Sequence, residues 1–341
     1  MRLLFDVLHP AHVLFFRPLA EHALAQGGQV LFTARDKDVT VKLLEAYGLP
    51  HEVLTGIGGG AVGLVREMAV RSAKLLLRVR SFQPDLLLGI MGPVIAPISR
   101  VTGVPSWVFY DTETATATNR FVYPLCHRLF VPESYRGPLP RKAERYPGYH
   151  ELSYLHPNRF TADETVRAEA NLGPDEDFAV VRFVSWEASH DVGDTGFSDH
   201  VGFVNRLAGR IRVVITAERG VPPELQHLAM GIRPERIHSL LSEATIYVGE
   251  GATMAAEAAI LGTPAIFVHS ARLGYMLELE ERYSLLWNTP DQRRAEELAN
   301  ALLEDRAATR GTFEERRENM LSERIDVAAW MIEEVRSALG R

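Results

Sequence analysis

Short runs of uninterrupted apolar residues punctuate the chain, separated by longer stretches whose apolar positions recur three and four apart. The runs Arg2–Leu8, Val30–Thr33, His51–Leu54, Asp85–Ile90, Ser106–Tyr110 and Arg128–Val131 are short and lack strict alternation. They predict strands covered on both faces, as in a parallel sheet. The segments between them predict helices. One starts near Phe15, with Pro18 in its first turn, and stops at Gly27-Gly28; others cover Val39–Tyr47 and about Ala61–Ser81. Tyr146–Phe160, rich in Pro, Gly and aromatic residues, reads as a linker. The rhythm resumes with strands at Phe178–Val184, Val213–Thr216, Ile246–Gly249 and Ala265–Val268, and closes in a charged helical segment from about Glu314 to Leu339. Two rounds of alternating strand and helix predict an α/β protein of two doubly wound, Rossmann-like domains, residues 1–150 and 151–325.

Length agrees, since 341 residues exceed one ordinary core. The balance of 37 basic against 44 acidic residues, net −7, argues against a nucleic-acid partner bound through a basic surface. The single cysteine, Cys126, permits neither an internal disulfide nor a zinc–thiolate cluster and fits a reducing compartment. Asp6 interrupts the opening apolar run, so it does not read as a signal peptide, and no apolar stretch reaches the length of a membrane span. These features predict a cytoplasmic protein.

Ligands of open parallel sheets bind beyond the carboxyl ends of the strands. There the first domain places His9 and His12, the loop after Ile90, and Asp111 to Glu113. In the second domain, "YVGEGATMAAEAAILGTPAIFV" is the most informative stretch. A strand ends at Gly249-Glu250-Gly251, Ala252 follows, Thr253 is placed to cap a helix, and Gly262 ends it. Glycines admit close backbone approach, and a helix N-terminus favours phosphate. Glu257, one turn on, is placed to accept from a ribose diol. A glycine turn by itself reads equally well as a packing device.

This strand–GxGxT–helix with its internal Glu, closed by "LGTPAIFV", resembles the donor-nucleotide motif of GT-B glycosyltransferases. The peptidoglycan N-acetylglucosaminyltransferase and the UDP-N-acetylglucosamine 2-epimerases share that architecture. More closely, the chain resembles the DUF354 family, through "HPAHVLFFRPLAE", "LFTARD", "YDTE…NR", "YPGYHELSYL", "RFVSWEASH" and "GATMAAEAAILGTPAI", over about residues 1–290. The resemblance implies a GT-B fold with its two domains facing across a cleft, and residues 326–341 as a helix crossing back to the first domain. It implies a nucleotide-sugar, UDP-linked, as cosubstrate, with no further cofactor. It departs at "VSWEASHD", where a glycine-rich loop is usual, so Ser185, Ser189 and backbone amides would meet the diphosphate there. Thr114 also stands where the family often has His.

On this basis His12 is the candidate general base, against a structural role in its turn. His9 reads as structural. Asp111 and Glu113 either orient the acceptor or His12, or form a helix cap with first-turn charge. Asn119 and Arg120 are acceptor contacts or plain helix surface. Trp186 stacks on a base or sugar, or packs; Arg219 pairs with diphosphate, or makes a surface salt bridge. The basic apolar stretch Gly56–Phe82 reads first as the solvated face of a packed helix, and second as a membrane-surface or lipid-acceptor site. No HExxH, Walker loop or nucleophile elbow occurs, so no metal is implied. The expected activity is metal-independent glycosyl transfer from a nucleotide-sugar donor to a hydroxyl acceptor in cell-envelope or surface glycan synthesis. That acceptor is a glycan, lipid-linked or small-molecule compound, reached with peripheral contact at the inner face of the membrane. The alternatives are a nucleotide-sugar 2-epimerase and a non-catalytic nucleotide-sugar-binding protein. Donor sugar and base, acceptor, stereochemical outcome and oligomeric state stay open.

Overall fold

The computed structural model describes residues 1–56, 60–113, 116–183, 196–217 and 220–340. The chain forms two compact units: Met1–Arg159 with Ile325–Arg341, and Phe160–Arg324. The first runs β1 Arg2–Val7, α1 Pro10–Ala25, β2 Gln29–Arg35, α2 Thr40–Ala46, β3 His51–Thr55, α3 Gly60–Phe82, β4 Leu86–Ile90, α4 Ile95–Thr102, β5 Ser106–Phe109, α5 Thr116–Leu125, β6 Arg128–Pro132 and β7 Ala143–Tyr146. Its strands, all parallel, lie in the order β3-β2-β1-β4-β5-β6-β7. The order reverses between β1 and β4, which places a topological switch point at His9 and the loop after Ile90.

The second unit runs α6 Val166–Glu169, β8 Phe178–Phe183, α7 His200–Ala208, β9 Arg212–Ala217, α8 Ile237–Glu243, β10 Ile246–Gly249, α9 Ala252–Leu261, β11 Ala265–Val268, α10 Gly274–Glu281, β12 Leu286–Thr289, α11 Gln292–Leu302 and α12 Arg306–Glu323. Its parallel order β12-β11-β10-β8-β9 puts the switch point between β8 and β10. The glycine turn follows β10. Both sheets are doubly wound and Rossmann-like, as the alternation predicts.

Several expectations need correction. The first helix begins at Pro10, not near Phe15, because His9 caps it and Pro10 occupies its first turn; Pro18 therefore sits in the helix interior. Proline there removes one backbone bond. Burial of Val13, Leu14, Phe15, Phe16 and Leu19 against the domain holds the helix together regardless. Tyr146–Phe160 is not a free linker. Tyr146 ends β7, and a 3-10 turn over His150–Ser153 is buried throughout. Gly148 serves a close approach, since a Cβ there would stand 2.6 Å from Val327. The charged C-terminal segment is two helices. Arg324 leaves helical geometry, Asp326 caps α13 Val327–Ala338, and α13 belongs to the first unit, with Trp330 stacked 4.8 Å from Tyr146.

Asp6, the polar interruption of β1, is explained by α3. Arg71, 1% exposed, meets Asp6 Oδ1 at 2.5 Å and donates to the carbonyls of Thr33 and Ala34, both at 3.0 Å. Thr33 Oγ1 adds a 2.8 Å bond to the same carboxylate oxygen. Hydrogen bonds to both terminal nitrogens of Arg71 help to offset the cost of burying this ion pair. Arg71 therefore does not belong to a solvated or lipid-facing surface.

Candidate functional site

At the carboxyl edge of the first sheet, three separate segments converge. The turn from β1 into α1 carries two histidines. His9 adopts extended geometry and accepts the Ala11 amide on Nδ1 at 3.2 Å, which is N-capping work. His12 is buried, its ring 6.0 Å from that of His9, and its Nδ1 accepts the Leu8 amide at 3.3 Å. An amide N–H can only donate, so a neutral His12 carries its proton on Nε2. Burial, with His9 as the next contributor, pushes the His12 pKa well below its ordinary value; Asp111 opposes this. His12 is thus a neutral ring presenting an N–H, suited to donating a hydrogen bond and ill suited to taking up a proton.

The second segment follows β5. Asp111 accepts from the Thr112 hydroxyl at 2.9 Å, and its Oδ2 lies 3.0 Å from Nδ1 of His150, which comes from the third segment, the 3-10 turn after β7. Burial pushes the Asp111 carboxyl up. The His150 charge and hydrogen bond, Thr112 and His12 outweigh it and hold the pKa below the ordinary value. His150 packs against Phe15 at 4.5 Å and stacks on Tyr146, and Ser153 of the same turn donates to the Phe15 carbonyl at 2.6 Å. With Nδ1–H directed at a carboxylate, a neutral His150 would carry its lone pair on Nε2, which is buried and has no hydrogen-bond partner among the described residues. Asp111 thus fixes the orientation of the His150 imidazole, whose far nitrogen is enclosed. Sequence reading passed over His150 because it lies in a Pro/Gly-rich stretch; the faint signal was a histidine inside "YPGYHELSYL".

Glu113 turns elsewhere, accepting the Arg136 amide at 3.0 Å. Asn119 is buried and Arg120 exposed.

In the second unit the glycine turn divides into two roles. A Cβ on Gly249 would stand 2.5 Å from the Arg182 carbonyl and 2.6 Å from the Tyr247 hydroxyl, so packing demands glycine there. At Gly251 the nearest atoms of the described residues to such a Cβ are 3.7 Å away or more, and φ is −87°, so neither their packing nor the backbone requires glycine. Gly251, not Thr253, is the N-cap residue of α9. The helix already starts at Ala252, which puts Thr253 inside it, and among the described residues no side chain caps this end. The Arg182 side chain runs beside the turn, 3.9 Å from the same point. Glu250 is held by His200 Nε2 at 3.3 Å. Glu257 is buried and paired with His238 Nε2 at 3.0 Å, on the side of α8. Ser185, Trp186 and Arg219 lie outside the described residues. Among the described residues no group of three His, Cys, Asp or Glu side chains is arranged to hold a metal ion.

Comparison with known proteins fits this geometry. The profile of DUF354, described as a protein of unknown function, matches residues 1–325. The chain belongs to the DUF354 family. No curated protein matches this DUF354 chain in sequence. Its fold is similar to that of the UDP-GlcNAc 2-epimerase from Neisseria meningitidis solved with UDP-GlcNAc, at 13% identity, full coverage of both chains (100% each) and TM-score 0.70. It is similar to the glycosyltransferase VinC in complex with dTDP, at 14% identity, 100% of each chain and TM-score 0.66. The glycosyltransferase SnogD from Streptomyces nogalater is 16% identical, over 98% of this chain and 99% of its own, with TM-score 0.62. At such identities the likeness establishes the fold, which is GT-B: two Rossmann-like units with parallel sheets.

Proposed function

We propose that this DUF354 protein is a glycosyltransferase that uses a nucleotide-sugar, UDP-linked, and transfers the sugar to a hydroxyl acceptor. The observation that carries the reading is the open start of α9. A helix N-terminus that no described side chain caps stands at the switch point of the second sheet, behind a Gly251 against which no described residue packs closely, with Arg182 beside it. Backbone N–H groups and a positive helix end are suited to a diphosphate. The solved relatives that hold UDP-GlcNAc and dTDP agree with that ligand class.

The acceptor side is assigned to the first unit. The acceptor oxygen attacks the anomeric carbon, the bond from that carbon to the diphosphate oxygen breaks, and the acceptor proton goes to Nε2 of His150, an enclosed atom that acceptor binding must uncover. Asp111 orients the ring and stabilises the imidazolium. The leaving nucleoside diphosphate takes the electron pair and is met by the α9 amides and Arg182. His12 donates from Nε2 to a substrate oxygen.

A second reading, nucleotide-sugar 2-epimerase, draws support from the pairing of an N–H donor, His12, with a base, His150, since epimerisation needs proton transfer and no acceptor. Two measurements test the proposal. UDP should raise the melting temperature, because a ligand that binds only the folded state stabilises it. UDP-GlcNAc incubated alone should remain unconverted. Absence of any nucleotide-dependent shift would remove the donor assignment, and conversion without acceptor would replace the transferase by the epimerase.

A further inference from the structure

Helix α3 is amphipathic in an unusual sense: both of its sides are apolar. One side, Leu75 and Val79 with the ion-paired Arg71, is buried against the first sheet. The opposite side carries Val65, Ala69, Ala73 and Leu77, spaced four apart and all exposed, with Val65 at 69% and Leu77 at 65%. At 1.5 Å per residue this stripe is about 18 Å long. An ordinary surface helix presents charged and polar residues there.

The neighbours extend the pattern. Helix α4 packs on α3, and α5 on α4. Among the described residues, seven of the nine large hydrophobic side chains left exposed lie on these three helices: Leu64, Val65, Met68, Val70, Leu77, Val101 and Phe121. Contiguous exposed apolar surface of this kind marks an interaction site.

Charge identifies the occupant. The three helices hold seven basic residues and one acidic residue, in a chain whose net charge is −7. The acid, Glu67, is 2.7 Å from Arg35. Arg71, Lys74 and Arg78 turn inward or toward β3, where Lys74 donates to the Leu54 carbonyl and Arg78 pairs with Glu52. Arg66, Arg80 and Arg120 are exposed and have no ion-pair partner among the described residues. A two-fold interface with a second copy would set this net-basic patch against an equally basic one, whose one acid, Glu67, is already paired with Arg35. An apolar stripe flanked by unopposed arginines instead matches lipid tails beside anionic headgroups.

We infer that the α3–α5 face is a peripheral docking surface for anionic lipid membranes. Among the described residues no helix is long and apolar enough to cross a membrane, so attachment would be by this face lying in the interface plane.

Co-sedimentation of the full chain with vesicles of phosphatidylcholine alone, or with about one-third phosphatidylglycerol, tests this without reference to turnover. Binding should require the anionic lipid and weaken as salt rises. V65D/L77D should lower the bound fraction at least tenfold, R66E/R80E should lower it and flatten the salt dependence, and both should melt with the wild type because the changed side chains are exposed. Equal binding to neutral vesicles, no binding at low salt, or full binding by V65D/L77D would overturn the inference. So would light scattering that shows a wild-type dimer dissociated by V65D/L77D, since a second copy would then be the occupant.

Discussion

The carboxyl edges of the two sheets occupy the same place in two similar folds, yet they are built from different materials. In the first unit the edge is made of side chains. His12, Asp111 and His150 come from three segments and are buried or half-buried; burial lowers the pKa of His12, and His150 and His12 help to lower that of Asp111. In the second unit the described edge offers more backbone: a glycine turn and a helix start that no described side chain caps, with Arg182 alongside and Glu250 held by His200. In the proposed function the side-chain edge moves a proton and the backbone edge holds an anion, so one fold used twice would divide the two tasks between its sheets.

The sharpest way to break this contrast is at His150. His150→Asn keeps an N–H toward Asp111 and removes Nε2, so kcat should fall about 100- to 10,000-fold while UDP affinity stays within about twofold. His12→Asn can still accept the Leu8 amide and should cost less. If His12→Asn proves the more damaging of the two, His12 is the base and the assignment reverses.

The glycines come next. Gly249→Ala inserts a methyl against backbone and should destabilise by about 1–3 kcal/mol in denaturant unfolding. Gly251→Ala should leave unfolding nearly unchanged but weaken UDP about tenfold by calorimetry, which is about 1.4 kcal/mol. Equal stability losses without an affinity change would make the whole turn a packing device.

The smallest effect is in pH. Burial sets the folded pKa of His12 below its unfolded value of about 6.5, so the unfolded chain takes up that proton first. Stability should fall as pH drops below about 6.5, by at most about 1.4 kcal/mol per pH unit for this group. Asp111 is also depressed. Its contribution is present above about 3.9 and is lost only as pH falls through the lower folded value. Unfolding at pH 7.5 and 5.5 should show a smaller difference in His12→Asn than in the wild type; an equal difference would show that His12 is not held neutral.

Much of this architecture was legible in local pattern. The buried strands and the glycine turn rest on runs of apolar residues and on nearby glycine chemistry, which short windows capture. Tyr146–Ser153 was not legible, because Pro, Gly and aromatic residues read as a linker until α13 is seen to pack over them. Arg71 looked like surface charge because its partner Asp6 belongs to the first strand. Thr253 looked like a cap because capping preference cannot tell which of three consecutive residues leaves helical geometry.

The sequence by itself determined the doubly wound class, the strand-end loops that carry candidate chemistry and the family, since these follow from periodicity and from motifs contiguous along the chain. Only the tertiary structure decided that Asp111 meets His150, that His12 keeps its proton on Nε2, and that one side of α3 is left bare. Each of these depends on which distant segments the fold brings within hydrogen-bonding or packing distance, and that is a property no local pattern encodes.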